Sequence, residues 1–220
     1  MERTPDFWEL YSTSTDRGVG STDMMGMTTY RMLDNLDNLK TERTAQLDLG
    51  FQAEHGAWSA WASAYAGLIK DFILLEYNTP TMRQPLARNV DATIAGAEAG
   101  LGYQFTDHFQ ADISTMYAWG ENTSDHRALA QIAPLEGRLN LRYVDEKYSL
   151  GLLWRAVAKQ NRISLNEGNV VGYDMNESKA FNTLAVNGTY KLTDAVDVSV
   201  GIDNLLDKAY TEHLNKAGAS

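Results

Sequence analysis

The feature that most constrains the fold of this chain is a strict alternation of apolar and polar residues, which recurs along most of its length. In one segment the odd positions hold Leu47, Leu49 and Phe51, with Asp48 and Gly50 between them. Successive side chains of a β-strand point to opposite faces of a sheet, so alternation places one set on each face. The same pattern occurs at residues 44–54, 58–68, 95–105, 109–119, 135–143, 148–156, 184–192 and 196–202. It predicts an all-β chain with about eight strands of roughly 9–11 residues, the length that a tilted strand needs to cross a bilayer.

The alternation predicts an apolar face and a polar face. The apolar face is expected to carry Leu47, Leu49, Leu150, Leu152, Val198 and Val200, and the polar face Gln46, Asp48, Arg155 and Asp197. Aromatic residues of the apolar parity lie close to predicted short turns, at Phe51, Trp58, Tyr103, Phe105, Phe109, Tyr143, Tyr148 and Tyr190. Amphipathic aromatic residues are favoured at membrane interfaces, so these residues are predicted to form a ring at one interface.

The connections between the predicted strands alternate in length. Short connections fall at His55-Gly56, Thr106–His108, Asp145-Glu146 and Thr193–Ala195. Long connections run through residues 78–88, 120–134 and 159–180, and from residue 204 onward. An up-and-down bacterial barrel has short periplasmic turns and long extracellular loops, so the short turns are expected at one end of the sheet. A soluble antiparallel protein with its apolar face inside is the alternative, although a sandwich would not need this rhythm.

Composition excludes several other classes of protein. No stretch of the chain approaches the roughly 20 consecutive apolar residues of a membrane helix. The 19 Lys and Arg residues are scattered singly in a chain of net charge −10, so no nucleic-acid partner is expected. The chain has no cysteine, and therefore neither disulfides nor cysteine-zinc sites. The first residues lack a signal peptide, which predicts either a cytosolic protein or a missing N-terminus. No motif of a nucleophile with a base, phosphate loop or acid pair is present, so the chain is not expected to be an enzyme.

Three motifs resemble those of TonB-dependent receptors. They are RNVD with GAE at residues 88–91 and 96–98, LAQIAPLEGRL at 129–139, and VGIDNLLDKAY at 200–210. The third is the most specific, although Leu206 replaces the usual Phe, and Ala130 stands where the second motif usually has Pro. The resemblance covers most of the chain from about Leu39. Within the family the chain is most similar to the TonB-dependent copper receptors, through residues 119–125, 160–162, 166–172 and 210–215.

This resemblance implies an outer-membrane receptor that transports a metal, with copper expected, or a metal chelate. The implied fold is an antiparallel up-and-down transmembrane β-barrel segment, with about eight strands of a barrel of about 22. Residues 1–41 are expected to be an extracellular loop segment, and residues 42–220 a partial C-terminal barrel domain that lacks the closing strand. The implied partners are outer-membrane lipid, the transported metal or chelate, and the TonB complex, which would bind through a plug domain absent from this sequence. A passive or structural barrel and a soluble ligand-binding β-protein remain alternatives.

Four residues are candidate metal ligands. Met24, Met25 and Met27 lie in a polar segment before the first predicted strand, and His126 lies in a long loop. Thioethers are soft ligands suited to Cu(I). The simpler explanations, a loop with spare methionines and a solvated loop histidine, are preferred for both sets of residues. No cofactor is expected beyond copper as the transported ion. On the polar face Asp48, Glu98, Asp112, Glu136, Arg138 and Arg142 line either a cation path or a surface of plug contacts and cross-strand charge pairs.

Overall fold

The computed structural model describes residues 1–5, 21–22, 28–29, 39–77, 85–165 and 176–214, and its regular structure is all β-strand. Eight long strands occur, and each contains most or all of one predicted strand. In chain order the strands are β1 (Glu2–Arg3), β2 (Ser21–Thr22), β3 (Thr28–Thr29), β4 (Glu42–His55), β5 (Trp58–Tyr77), β6 (Pro85–Gln104), β7 (Phe109–Asn122), β8 (Arg127–Ala128), β9 (Glu136–Val144), β10 (Tyr148–Val157), β11 (Phe181–Thr193) and β12 (Val196–Ile202). Among these described residues, no helix is long and apolar enough to cross a membrane.

The long strands form one antiparallel sheet in which chain neighbours are also sheet neighbours. The order is β1-β4-β5-β6-β7-β9-β10-β11-β12, and the short β8 pairs with β7. Each strand of such a meander reverses direction. The four short turns therefore lie at one end of the sheet, as predicted, and the longer connections lie at the other. In the described part of the chain the sheet is open, with β1 and β12 at its edges.

The pairing register confirms the two predicted faces. Leu49 lies opposite Ala64, which lies opposite Ala97, and Leu150 lies opposite Tyr143 and Gly188. Large side chains of the apolar face are exposed; Leu49 and Val200, for example, are each 65% exposed. A soluble protein with its apolar face inside would bury them. The aromatic residues beside the turns are in contact with one another. Ring centroids lie 4.4 Å apart for Trp58–Tyr103, 4.7 Å for Tyr103–Phe105 and 5.2 Å for Phe105–Phe109. A separate pair, Tyr143 and Tyr148, has its centroids 5.6 Å apart.

Strands β5 and β6 are longer than the alternation predicts, so part of the predicted 78–88 loop is strand. A β-bulge separates the two portions of β5, because residues 70–71 lie opposite the single residue Asp91. Asn89 and Asp91 of the RNVD motif bind the bulge, since Asn89 Nδ2 donates to Asp71 O (2.6 Å) and Asp71 N donates to Asp91 Oδ1 (3.3 Å). Beyond the bulge Ile73 and Leu74 are both buried, at 1% and 2% exposure. Neighbours buried on both faces show no alternation, which explains the missed extension.

Candidate functional site on the polar face

Glycines allow aromatic rings to lie flat on the polar face. Trp61 is paired with Gly100, and Tyr65 with Gly96 of the GAE motif. A Cβ added at Gly96 would lie 2.4 Å from Tyr65 Cε1, and one added at Gly100 would lie 2.4 Å from Trp61 Nε1. Each ring therefore covers the strand position that its glycine leaves empty, which compensates for the poor packing of glycine in a strand.

Farther around the sheet, the polar face carries an ion cluster of Glu136, Arg138, Arg155 and Glu212. Glu136 is 7% exposed and accepts hydrogen bonds from Arg138 Nε and Arg155 Nη2, both at 2.6 Å. Arg155 also binds both carboxylate oxygens of Glu212. Bidentate arginine–carboxylate pairs combine charge with fixed geometry. With two carboxylates and two guanidinium groups, the cluster has a formal charge of zero.

The cluster anchors a segment that crosses the polar face, residues 204–213, which we call the strap. At its start Asn204 binds both backbone groups of Lys208, at 3.0 and 3.1 Å. Tyr210 stacks on Phe181 of β11 with ring centroids 4.3 Å apart. Glu212 then reaches Arg155 of β10. The strap therefore runs from β12 across β11 to β10, and the VGIDNLLDKAY motif supplies its turn and its aromatic anchor.

The connections at the strap's end of the sheet are bound to one another. Gln160 and Ser178 form a β-bridge between the two sides of the connection from β10 to β11. Gln160 Nε2 also donates to Ile132 O (3.1 Å) in the connection from β7 to β9. The ring of Trp119 lies 4.9 Å from the guanidinium of Arg162, a cation–π contact. These contacts join the connection from β10 to β11 to the connection from β7 to β9 and to the end of β7.

Of the four predicted metal ligands, only His126 lies among the described residues. His126 is exposed and has a positive φ of 54°. Its neighbour Asp125 binds Arg88 and Asn122. The hydrogen bond from Arg88 lowers the pKa of the Asp125 carboxyl, so this group is an ion-paired carboxylate. No group of three His, Asp or Glu residues in the described ranges could hold a metal ion. Met24, Met25 and Met27 lie outside the described residues, so their role stays a prediction.

Two of the acids predicted to line the polar face, Asp48 and Asp112, have amide partners. Gln46 Nε2 donates to Asp48 (2.8 Å), and Gln110 Nε2 donates to Asp112 (2.9 Å). Cross-strand charge pairing is observed between Glu136 and Arg155. The sequence did not indicate that Glu212 would join these residues, because it lies 57 positions from Arg155. The only signal was that Glu212 falls inside a segment similar to copper receptors.

Comparison with known proteins identifies the family. The family model described as TonB dependent receptor-like, beta-barrel matches residues 2–205. The solved structure of copper transporter OprC is 46% identical with a TM-score of 0.85, and the match covers 99% of this chain and 32% of that one. The chain thus spans about a third of that protein. No curated protein sequence matches.

Two more distant structures share the fold. The FrpB iron transporter from Neisseria meningitidis (F3-3 variant) is 21% identical with a TM-score of 0.62, over 82% of this chain and 29% of that one. A mutant of the ferric enterobactin receptor PfeA from Pseudomonas aeruginosa is 19% identical with a TM-score of 0.68, over 94% and 31%. The chain belongs to the TonB-dependent receptor family and is part of the β-barrel with which these receptors span the bacterial outer membrane.

Proposed function

We propose that the chain forms part of the wall of an energy-coupled receptor that takes up copper, or a metal chelate, across the outer membrane. The observation that carries this proposal is the 46% identity with a copper transporter along 99% of the chain. The proposed partners are the transported metal or chelate, a plug domain in the lumen, and the TonB complex that supplies energy through the plug. The receptor moves its cargo without converting it, so the proposed role is not enzymatic.

The two faces of the sheet suit this role. The open apolar face matches the lipid-facing surface of a barrel, and the polar face, with the ion cluster and the strap, would line the lumen. A passive barrel would share both faces. What distinguishes a receptor is dependence on TonB, and this dependence is what the experiment must measure.

For copper capture we propose a role for Met24, Met25 and Met27, with His126 as a further ligand. Methionine sulfur is a soft and neutral ligand that suits Cu(I). Histidine must lose its proton before it binds a metal, so methionine sites keep their affinity in mild acid. A loop with such weak sites could collect the ion outside the cell and pass it inward.

The test uses the complete receptor in a bacterium whose own copper receptors have been deleted. Cell-associated copper is measured by mass spectrometry at limiting external copper, with and without TonB. We expect accumulation only when TonB is present. Equal accumulation in both strains would contradict the energy-coupled receptor and support the passive barrel.

In the same assay Met24, Met25 and Met27 are changed together to Leu, which keeps volume and apolarity but removes sulfur. We expect lower copper uptake at equal amounts of receptor in the outer membrane. Met116→Leu, in β7 on the polar face, is the matched control for loss of a thioether elsewhere. Unchanged uptake by the triple variant would exclude these methionines from capture.

A further inference from the structure

The strap contains a buried histidine that neither the fold nor the proposed transport explains. His213 is 6% exposed, and its Nδ1 lies 3.1 Å from Ser178 Oγ in the connection from β10 to β11. Ser178 also forms the β-bridge with Gln160, so His213 attaches the end of the strap to the connection from β10 to β11. Burial lowers the pKa of this imidazole below its ordinary value of 6.5.

Among the described residues, the charged groups of the ion cluster and beside Ser178 are already paired or exposed. Glu136 of β9 binds Arg138 and Arg155, and Glu212 of the strap itself binds Arg155 of β10. Glu177 and Lys179, which flank Ser178, are exposed. A protonated His213 would therefore gain no free carboxylate from the ion cluster to offset its loss of water. Burying a charge without a partner is costly, so the docked strap favours neutral imidazole.

We propose that residues 204–213 are an acid-released strap, docked across the polar face at neutral pH and freed from it when His213 gains a proton. Three contacts must then separate together: the imidazole leaves Ser178, the Tyr210 ring leaves Phe181, and Glu212 leaves Arg155. Arg155 keeps its bond to Glu136, so the wall stays folded while its surface becomes uncovered. This device does not depend on which species the receptor transports.

The direction of the pH dependence follows from proton linkage. The docked strap binds the proton less readily than the free strap, because the pKa of His213 is lowered on docking. The free energy that favours the docked strap is fully present above about pH 6.5. It is lost as the pH falls from there toward the lower pKa that His213 has in the docked strap. A single proton changes the docking equilibrium by at most about tenfold per pH unit. His213 is the one strap residue with an ordinary pKa between about 5 and 8.

The experiment is hydrogen exchange followed by mass spectrometry on the complete receptor in detergent micelles, from pH 7.5 to 5.0. Rates are corrected for the intrinsic effect of pH. In the wild type we expect protection of strap peptides to fall by up to about tenfold per pH unit below pH 6.5. Peptides from β10 serve as the internal reference, and their protection should stay constant.

Two variants separate His213 from general acid effects. His213→Gln keeps an amide that can bind Ser178 and does not titrate, so its strap should respond much less to pH. His55→Gln removes an exposed histidine at the turn between β4 and β5 and should respond as the wild type does. Strap protection that is constant with pH in the wild type overturns the proposal even if His213→Gln fails to fold. An equal pH response in wild type and His213→Gln would also overturn it.

Discussion

Replacing Leu49 with arginine tests which face of the sheet meets lipid. Leu49 is 65% exposed on the apolar face of β4, midway between Ala45 and Ala53, the ends of that strand's apolar run. Each end is four residues from Leu49, and four residues at about 3.3 Å each, on a strand tilted by about 40°, cover roughly 10 Å of membrane depth. Leu49 therefore lies near the middle of an apolar band about 25 Å tall.

The expected cost follows from that depth. Arginine on the lipid face of a barrel costs about 2–4 kcal/mol at the midplane and about 0–1 kcal/mol near the interfaces. The larger figure corresponds to a factor of roughly 30–700 in the folding equilibrium. Ala45→Arg, near the outer end of the same face, is the control for depth. Gln52→Arg, on the polar face of the same strand, is the control for the charge itself.

The assay is guanidinium unfolding of the complete receptor in lipid vesicles, with folded receptor in outer membranes as a second readout. We expect Leu49→Arg to lose about 2–4 kcal/mol, and Ala45→Arg and Gln52→Arg to lose about 1 kcal/mol or less. If Leu49→Arg and Gln52→Arg were equally stable, the assignment of the apolar face to lipid would be wrong.

Two further substitutions test packing on the polar face with the same assay. Gly96→Ala should destabilise the receptor by about 1–3 kcal/mol because the new Cβ displaces the Tyr65 ring. Gly50→Ala is its control and should be close to neutral, since no heavy atom lies within 4 Å of the new Cβ. Equal effects of the two substitutions would show that the Tyr65 ring is not packed on Gly96. Arg155→Met should lower the free energy of unfolding by about 2 kcal/mol. This is less than the usual loss for a broken buried ion pair, because Arg155 is 22% exposed and Glu136 keeps its ion pair with Arg138. Arg142→Met, exposed on the same face, is its control, and an equal loss in the two variants would contradict a stabilising ion cluster.

The strands were predictable where one face meets lipid and the other meets a polar lumen, because only that difference produces alternation. The alternation identified β4 and the first half of β5, up to Leu68. Past the bulge the strand continues, but Ile73 and Leu74 are both buried and their neighbours no longer alternate. Prediction from period therefore ended near the bulge, although the strand continues to Tyr77.

The candidate site was less predictable because its contacts join distant parts of the chain. Arg155 was placed correctly on the polar face by parity alone. Its partner Glu212 and the buried His213 lie in a segment without strand periodicity, and no local pattern shows where such a segment folds. The motif around Asn204 indicated only the family. The structure gives it a conformational role, through the bonds of Asn204 to Lys208 and the stacking of Tyr210.

The bulge in β5 marks where the lipid-facing part of the strand ends. From Trp58 to Leu68 the apolar face of β5 covers ten residue steps, or about 25 Å of depth at a tilt of about 40°. The next outward side chain is Lys70, which forms an ion pair with Asp91, and a charged pair of this kind is costly to place in hydrocarbon. The extra residue at the bulge also reverses parity, because Phe72 lies opposite Val90 on the polar side, where unbroken alternation would point it outward. The bulge thus turns an aromatic side chain inward, against Ile69 and its neighbours, at the level where burial in lipid ends and burial under the loops begins.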